Sequence, residues 1–466
     1  MEATLAAAYN QRYDVESPGW REEWSHVMDV MEAIRNAGVV GAGGAGFPTH
    51  VKLNVNAQRV ILNGAECEPL LMVDQLLMQR EAEKMVHGLE LAMQAAQAPE
   101  GVIATKEHYH EAVEALQKAI LGKPNLRLHL MESYYPSGDE KAVIYEVIGK
   151  VVPTGKLPID VGCVVINAGT ALSIADAVAG NPVTSKSVTI AGDVPKPMTV
   201  TVPIGVSIRE VLALSDFRGE EGAYAVIVGG PCMGAIEADW DAPITKTTGG
   251  LIVLPKAHQQ IQLRSITPEQ QARLARSICC QCNRCTQICP RHAMGLPVEP
   301  HKAMRAISMG NAALLGDAAG VLACSSCGLC TYFGCEMGLT PSVVMTSLKA
   351  ELAKAGVRPV PEENITPEPW IAMKAVPVQR MVARMHLSAY DVPAPYSEKT
   401  VTPASVKLPL RQHVGKASTP LVQAGDRVVC GQMIAAIPEN ALGAALHASI
   451  TGTVAEVTAE HIVITA

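Results

Sequence analysis

Two cysteine runs carry the most explicit chemistry in this chain. The first reads C-x2-C-x2-C-x3-C-P, with Cys279, Cys282, Cys285 and Cys289 ahead of Pro290. The second reads C-x2-C-x2-C-x4-C, with Cys324, Cys327, Cys330 and Cys335. Thiolates at this spacing wrap a four-iron, four-sulfur cubane, and where two clusters are present the fourth cysteine of a run ligates the other cluster. Two cubanes are therefore expected. One is assigned to Cys279, Cys282, Cys285 and Cys335, the other to Cys324, Cys327, Cys330 and Cys289. The second run departs from the pattern by one extra residue before Cys335 and by lacking a proline after it. Zinc is the competing reading, but zinc sites usually divide their thiolates two and two across a gap. Disulfides compete less well, because cysteines two apart rarely bridge each other.

A second group of residues suits an anionic ligand. Gly41-Ala42-Gly43-Gly44-Ala45-Gly46 matches G-x-G-x-x-G. A dinucleotide fingerprint follows a strand and opens a helix; here a helical pattern precedes the glycines, which disfavours the ordinary Rossmann reading. The glycines still allow backbone N–H groups to approach a phosphate. The following FPTHVK can open a helix whose N-terminus favours an anion, and Lys52 adds a charge. A plain glycine-rich turn is the alternative. Three further segments carry carboxylates, amides and hydroxyls: Asn63-Gly64-Ala65-Glu66-Cys67-Glu68-Pro69, Tyr135-Pro136-Ser137-Gly138-Asp139-Glu140 and Asn167-Ala168-Gly169-Thr170. Each is read as lying at the carboxyl end of a strand, where the ligand crevice of an open α/β sheet is found.

The elements that must position these groups alternate along the chain. A helix is expected over 25–37, with Val27, Val30, Met31 and Ile34 on one face. Strands at 59–63, 101–105, 126–131 and 163–167 alternate with helices near 74–96, 107–121, 139–149 and 170–179. Such alternation implies a mostly parallel sheet covered by helices. From 184 to 256 the pattern changes to short strands with one short helix near 207–214. Helix-forming sequence returns at PEQQARLARS and carries the cysteine runs, and a Pro-rich linker spans 358–370. Residues 405–466 are strand-like, with the turns of a lipoyl-type barrel sandwich. The last lysine is Lys416, and the carrier position is occupied by His447, Ala448 and Ser449, which excludes a covalent swinging arm. Cys163 and Cys430 are read as small core residues.

Composition narrows the partners. A net charge of −7 implies no nucleic-acid ligand. Thirteen cysteines, eight of them in cluster spacing, argue for a reducing compartment. The start, MEATLAAAYNQRYD, is not expected to be a signal peptide. The apolar stretch 161–180 contains Asn167 and Asp176 and reads as a strand and a helix, so no direct membrane insertion is expected.

GAGGAGFPTHVK, NGAECEP, YPSGDE and NAGT resemble the flavin- and NADH-binding domain of the hydride-accepting subunit of respiratory complex I. They are still more similar to the C subunit of Rnf-type electron-transport complexes and to the cobalamin reductases of bacterial propanediol-utilization microcompartments. The barrel sandwich comes last here, as in the cobalamin reductases, whereas it comes first in the Rnf subunit. The resemblance implies five segments: an FMN/NADH-binding α/β domain (1–183), a β-grasp-like module (184–257), a helical domain with two 4Fe-4S clusters (258–357), a linker (358–404) and the barrel sandwich (405–466). It implies that Gly41, Gly43, Gly44, Gly46 and Lys52 hold the FMN phosphate. Asn63, Glu66, Tyr135, Gly138, Asn167 and Thr170 would line the flavin. Glu68, Asp139 and Glu140 would face the nicotinamide and ribose. One departure is that aliphatic Leu53 and Val55 stand where the family has an aromatic shelf for the nucleotide base.

The implied activity is NADH-dependent reduction of cobalamin, feeding a cobalamin adenosyltransferase inside a cytoplasmic microcompartment, with a shell protein as a further partner. Two alternatives stay open: a peripheral electron-input subunit of an Rnf-type membrane complex, and a non-catalytic relay docked on a shell protein. No D-x-H-x-x-G corrinoid signature is present.

Overall fold

In a computed structural model, residues 29–44, 46–362 and 364–466 are described. Helix α1 (Val30–Asn36) is capped by Asp29, whose carboxylate accepts from the Met31 N–H; Val27, expected on the same helix, lies outside the described residues. A single helical turn, α2 (Thr49–Lys52), follows the glycine loop. Strands β1 (Arg59–Gly64), β2 (Glu100–Lys106), β3 (Leu126–Met131) and β5 (Cys163–Asn167) form one parallel sheet in the order β3-β2-β1-β5. The two-residue strand β4 (Tyr134–Tyr135) lies outside it.

The alternation of the strands decides which face each residue covers. Val60 and Leu62 join Met85, Leu89, Leu116 and Ile174 in the core beneath helices α3 (Val73–Arg80), α4 (Ala82–Ala95), α5 (His110–Ala119) and α7 (Ala168–Val178). Ile61, Val102 and Val165 face the other way, onto Val143 and Ile144 of α6 (Glu140–Ile148). β1, β2 and β5 are thus buried on both faces, which explains the apolar runs at their centres, whereas β3 alternates and is partly exposed. The single helix expected over 74–96 is two, separated at Glu81, whose φ of −123° leaves the helical range.

The order β3-β2-β1-β5 has its switch point between β1 and β5, where one crossover runs to the left of β1 and the next to its right. Their carboxyl ends, Gly64 and Asn167, open the crevice there.

A second sheet runs β7 (Met198–Pro203), β6 (Ser185–Gly192), β10 (Gly250–Pro255), β8 (Tyr224–Val228), β9 (Ala235–Glu237). β6 and β10 pair in parallel and the other pairs are antiparallel. Short helices between 259 and 354 carry the cysteine runs. At the end of the chain, a four-stranded and a three-stranded antiparallel sheet share one core around Leu408, Ile434, Ile462 and Ile464.

The segment 358–404, read as a linker, does more than connect. Val376–Pro377 pairs antiparallel with Tyr134–Tyr135, and Met381, Met385 and Leu387 behind it are fully buried. Prolines stop helices but do not stop apolar side chains between them from finding a core. His447, Ala448 and Ser449 are buried rather than presented on an exposed hairpin; the Ser449 hydroxyl donates to the Ile204 carbonyl (2.5 Å). Cys430, expected in a strand core, is exposed because it sits in the turn before Met433–Ala436. Among the described residues, no helix is long and apolar enough to cross a membrane.

Candidate functional site

The glycine loop is closed by the Gly41 N–H, which donates to the Phe47 carbonyl (2.9 Å). It does not rest on α2, the helix that sequence favoured. It rests on the N-terminal end of α7: the Ala42 N–H donates to the Thr170 hydroxyl (2.9 Å), and a Cβ on Gly43 would touch Asn167. Gly44 has φ +117° and faces open space, so a side chain there would strain the backbone and fill that space. The Gly46 carbonyl accepts from the Val414 N–H of the C-terminal barrel (3.1 Å).

Beside this loop lies a buried charged cluster that crosses two sheets. The Glu66 carboxylate accepts from the Asp74 N–H (2.8 Å). Asp74 accepts from the Asn167 side-chain amide (2.7 Å), whose oxygen in turn takes the Gly169 N–H (2.8 Å). Lys186, from β6 of the second sheet, donates to the Ala42 carbonyl (3.1 Å). Burial pushes Glu66 up to about 8, and the neighbouring Asp74 adds to the shift. Burial also pushes Asp74 up to about 6 and Lys186 down to about 8. Sequence reasoning placed Glu66, Asn167 and Thr170 here and missed Asp74 and Lys186. A lysine in a strand of another sheet gives no local signal of where it points.

The other end of the crevice is built by the loop between β4 and α6. The Asn63 amide donates to the Gly138 carbonyl (3.0 Å), tying that loop to β1. Ser137 is fully buried, and its hydroxyl has no hydrogen-bond partner among the described residues. Lys52 and Glu140, given separate roles above, form one ion pair (2.7 Å) that is partly exposed.

The remaining expected residues face neighbouring modules. Glu68 accepts from the Cys232 and Met233 N–H groups (2.8 and 3.0 Å) of the second sheet's module, and burial raises its carboxyl to about 7. The buried Tyr135 hydroxyl donates to the Cys327 carbonyl (2.5 Å). Asp139 meets the Arg291 guanidinium through two contacts of 2.6 Å. Here, then, the Glu68 and Asp139 carboxylates are held by the protein itself, because each is buried where another module supplies its donors. Leu53 is fully buried, which removes it from any nucleotide-stacking surface.

The cysteine loops repeat one backbone shape. Gln281 and Asn283 in the first loop, and Ser326 and Gly328 in the second, all have positive φ (55°, 63°, 59° and 77°). Three non-glycine residues in this region at matching places are an outlier of the kind that clusters at functional sites. The bends aim polar groups inward: the Gln281 side-chain amide lies 3.2 Å from the Cys279 sulfur and the Ser326 N–H 3.4 Å from the Cys324 sulfur.

The extra residue of the second run is also accounted for. Cys285 to Cys289 spans an ordinary helical turn (Arg284–Gln287), whereas Cys330 to Cys335 spans a π-helical turn, whose i→i+5 repeat absorbs one more residue.

The structure brings Cys279, Cys282, Cys285 and Cys335 around one cavity, also lined by Gly334 and His301. Burial and the proximity of Cys335, Cys282 and Cys279 push the Cys285 thiol up to about 12. Cys289 is raised by burial, then by Cys327 and Cys324, and Cys330 by burial, then by Cys324, Cys327 and Cys289, with Cys285 of the other set last. Two four-thiol sets with crossed fourth members and inward polar groups fit two iron–sulfur clusters. The open face at Gly44 and the unpartnered Ser137 hydroxyl fit a phosphate-bearing, polar-edged cofactor such as FMN.

Three parts of the chain match known protein families. Residues 34–176 match the Nuo51 FMN-binding domain, 278–340 a 4Fe-4S dicluster domain, and 396–465 the RnfC barrel sandwich hybrid domain. The cobalamin reductase PduS of Salmonella typhimurium is 42% identical over 94% of this chain and 96% of its own length. That of Citrobacter freundii is 42% identical over 93% and 96%. One component of the Na(+)-translocating ferredoxin:NAD(+) oxidoreductase complex of Acetobacterium woodii is 40% identical over 58% of this chain and 59% of its own length.

Proposed function

The chain belongs to the family of the PduS cobalamin reductases, and from that premise we propose that it carries electrons from NADH through one FMN and two 4Fe-4S clusters to cobalamin. It is an oxidoreductase with an FMN-binding domain and an iron–sulfur dicluster domain. A nicotinamide delivers two electrons as a hydride, a flavin can take the pair and release electrons singly, and a cubane takes one at a time; the protein supplies binding, orientation and tuning.

The observation that carries this reading is that both kinds of site share one boundary. The loop 135–140 at the crevice touches the second cysteine loop through Tyr135 and the Cys289–Arg291 segment through Asp139. The glycine loop, Asn167 and Thr170 would hold the phosphate end, with Lys186 nearby, and Asn63, Ser137 and Gly138 the ring end. Glu140 and Lys52, partly exposed at the rim, are the groups left to meet the nucleotide.

The sheet order β7-β6-β10-β8, with its parallel centre, supports a β-grasp-like reading of 184–257. Family membership supports a microcompartment setting, with an adenosyltransferase and a shell protein as partners. The Rnf-type relative matches 58% of the chain against 94% for the cobalamin reductase, which favours the reductase over a membrane-complex component.

The test is an anaerobic assay of the purified chain with NADH and cobalamin. Cobalamin-dependent NADH oxidation without any second protein is expected. Activity that appears only when another electron-transfer protein is added would remove the reductase reading.

A further inference from the structure

The two cysteine sets are not equivalent in the fold. Cys289, Cys327 and Cys330 are each 8% exposed and Cys324 is half-buried, whereas in the other set Cys279, Cys285 and Cys335 are half-buried and Cys282 is exposed, as is its neighbour Cys280. The buried set is also the one fastened to the crevice. The Tyr135 hydroxyl reaches the carbonyl of Cys327 itself (2.5 Å). Arg291, two residues after Cys289, takes both oxygens of Asp139 (2.6 Å each) across the domain boundary. Tyr135, Leu70, Cys327 and Leu329 belong to one apolar core, with Met381 and Met385 of the 358–404 segment behind them. Among the described residues, the cavity of Cys279, Cys282, Cys285 and Cys335 is lined by residues of the cysteine module itself.

We propose that the electrons pass in a fixed order: first to the inner cubane of Cys289, Cys324, Cys327 and Cys330, then to the outer cubane of Cys279, Cys282, Cys285 and Cys335, from which they leave the protein. This rests on the flavin and two-cubane reading above. A hydride from NADH would bring the flavin two electrons and one proton, with a second proton taken from water; the electrons would pass one at a time to the inner set, and both protons would return to water. Tyr135, Asp139 and Arg291 are positioning residues in this scheme. They hold the inner loop against the crevice and touch no reacting atom. The exposed Cys280–Cys282 edge is where an acceptor meets the outer cubane.

The experiment uses the full chain, reconstituted anaerobically, in two variants. Cys330→Ala removes the inner cubane and Cys282→Ala the outer one. Each is mixed with NADH and followed by rapid-freeze EPR, with dithionite added to a parallel sample to show that the remaining cubane is present and reducible. In Cys330→Ala the flavin should bleach while the outer cubane stays oxidised, with reduction by dithionite intact. In Cys282→Ala the inner cubane should be reduced by NADH as fast as in the parent protein. Reduction of the outer cubane by NADH at the parent rate in Cys330→Ala overturns the order. If Cys330→Ala cannot hold the outer cubane, Cys324→Ala makes the same comparison. If NADH leaves the parent flavin oxidised, the nicotinamide reading fails instead; photoreduction of the flavin with EDTA then feeds the same wire, and the same two outcomes decide the order.

Discussion

Asp139 and Glu140 are adjacent, and each forms an ion pair, yet removing them should have very different consequences. The Asp139–Arg291 pair is almost fully buried, with side chains 9% and 10% exposed. Asp139→Ala leaves the guanidinium without its counter-charge. Losing one partner of a buried pair costs about 3–5 kcal/mol, because the remaining charge is uncompensated. Two features argue for the upper part of that range. Lys141 lies close enough for Arg291 to help lower its pKa, to about 8, behind the larger effect of burial, so two cations would then face each other. The pair also joins two modules, so its loss loosens the docking of the inner cysteine loop.

The Lys52–Glu140 pair is 31% and 41% exposed, and pairs of that kind contribute about 0–1 kcal/mol. Anaerobic urea unfolding, read by circular dichroism and by cluster absorbance, measures both. Asp139→Ala should be strongly destabilised and Glu140→Ala barely. The double variant Asp139→Ala/Arg291→Met should recover part of the loss, because a buried pair replaced by apolar groups is often tolerated. Equal losses for the two single variants, or a loss under about 1 kcal/mol for Asp139→Ala, would refute the claim that this buried pair ties the two modules together.

Other outcomes follow from particular residues. Anaerobic protein should contain about eight iron and eight acid-labile sulfides per chain, the content of two cubanes; stoichiometric zinc without labile sulfide would contradict this. Gly44→Val should lower flavin content while cluster absorbance persists, because a β-branched residue at φ +117° costs about 1–3 kcal/mol and fills the open face of the loop; full flavin occupancy would count against the glycine loop as the phosphate cradle. Glu66 is raised from 4.5 to about 8 on folding, so the folded chain keeps a proton that the unfolded chain loses, and stability should fall as pH rises from about 5 to 8. Asp74 contributes with the same sign, and Lys186 stays charged through most of that window. Glu66→Gln should flatten the pH–stability curve, and an unchanged slope would remove Glu66 as its source.

The parallel sheet was legible because strands buried on both faces must be apolar through their centres, as residues 60–62 and 163–166 are. The cysteine sets were legible because ligand spacing is a local property of the chain. What sequence could not reveal was which distant groups meet. The glycine loop rests on α7 rather than on the helix next to it in sequence, since only the sheet order brings residues 42 and 170 together. Lys186 and Arg291 come from other modules, and their placement depends on tertiary docking. The segment 358–404 looks like a tether in sequence because prolines crowd its first part, yet its spaced apolar residues, Val376, Met381, Met385 and Leu387, find a buried core. The extra residue before Cys335 looked like a departure; a π-helical turn absorbs it.

The central claim is that NADH, the crevice and both cysteine sets form one path to cobalamin. Anaerobic stopped-flow absorbance of the full chain, with NADH on one side and cobalamin on the other, tests it most directly when the parent protein is compared with Cys282→Ala. The account predicts that the flavin bleaches before the clusters in the parent, and that Cys282→Ala keeps flavin bleaching but loses cobalamin reduction. Cobalamin reduced at the parent rate by Cys282→Ala would mean that electrons leave without using the outer cubane, and the path proposed for this chain would be wrong.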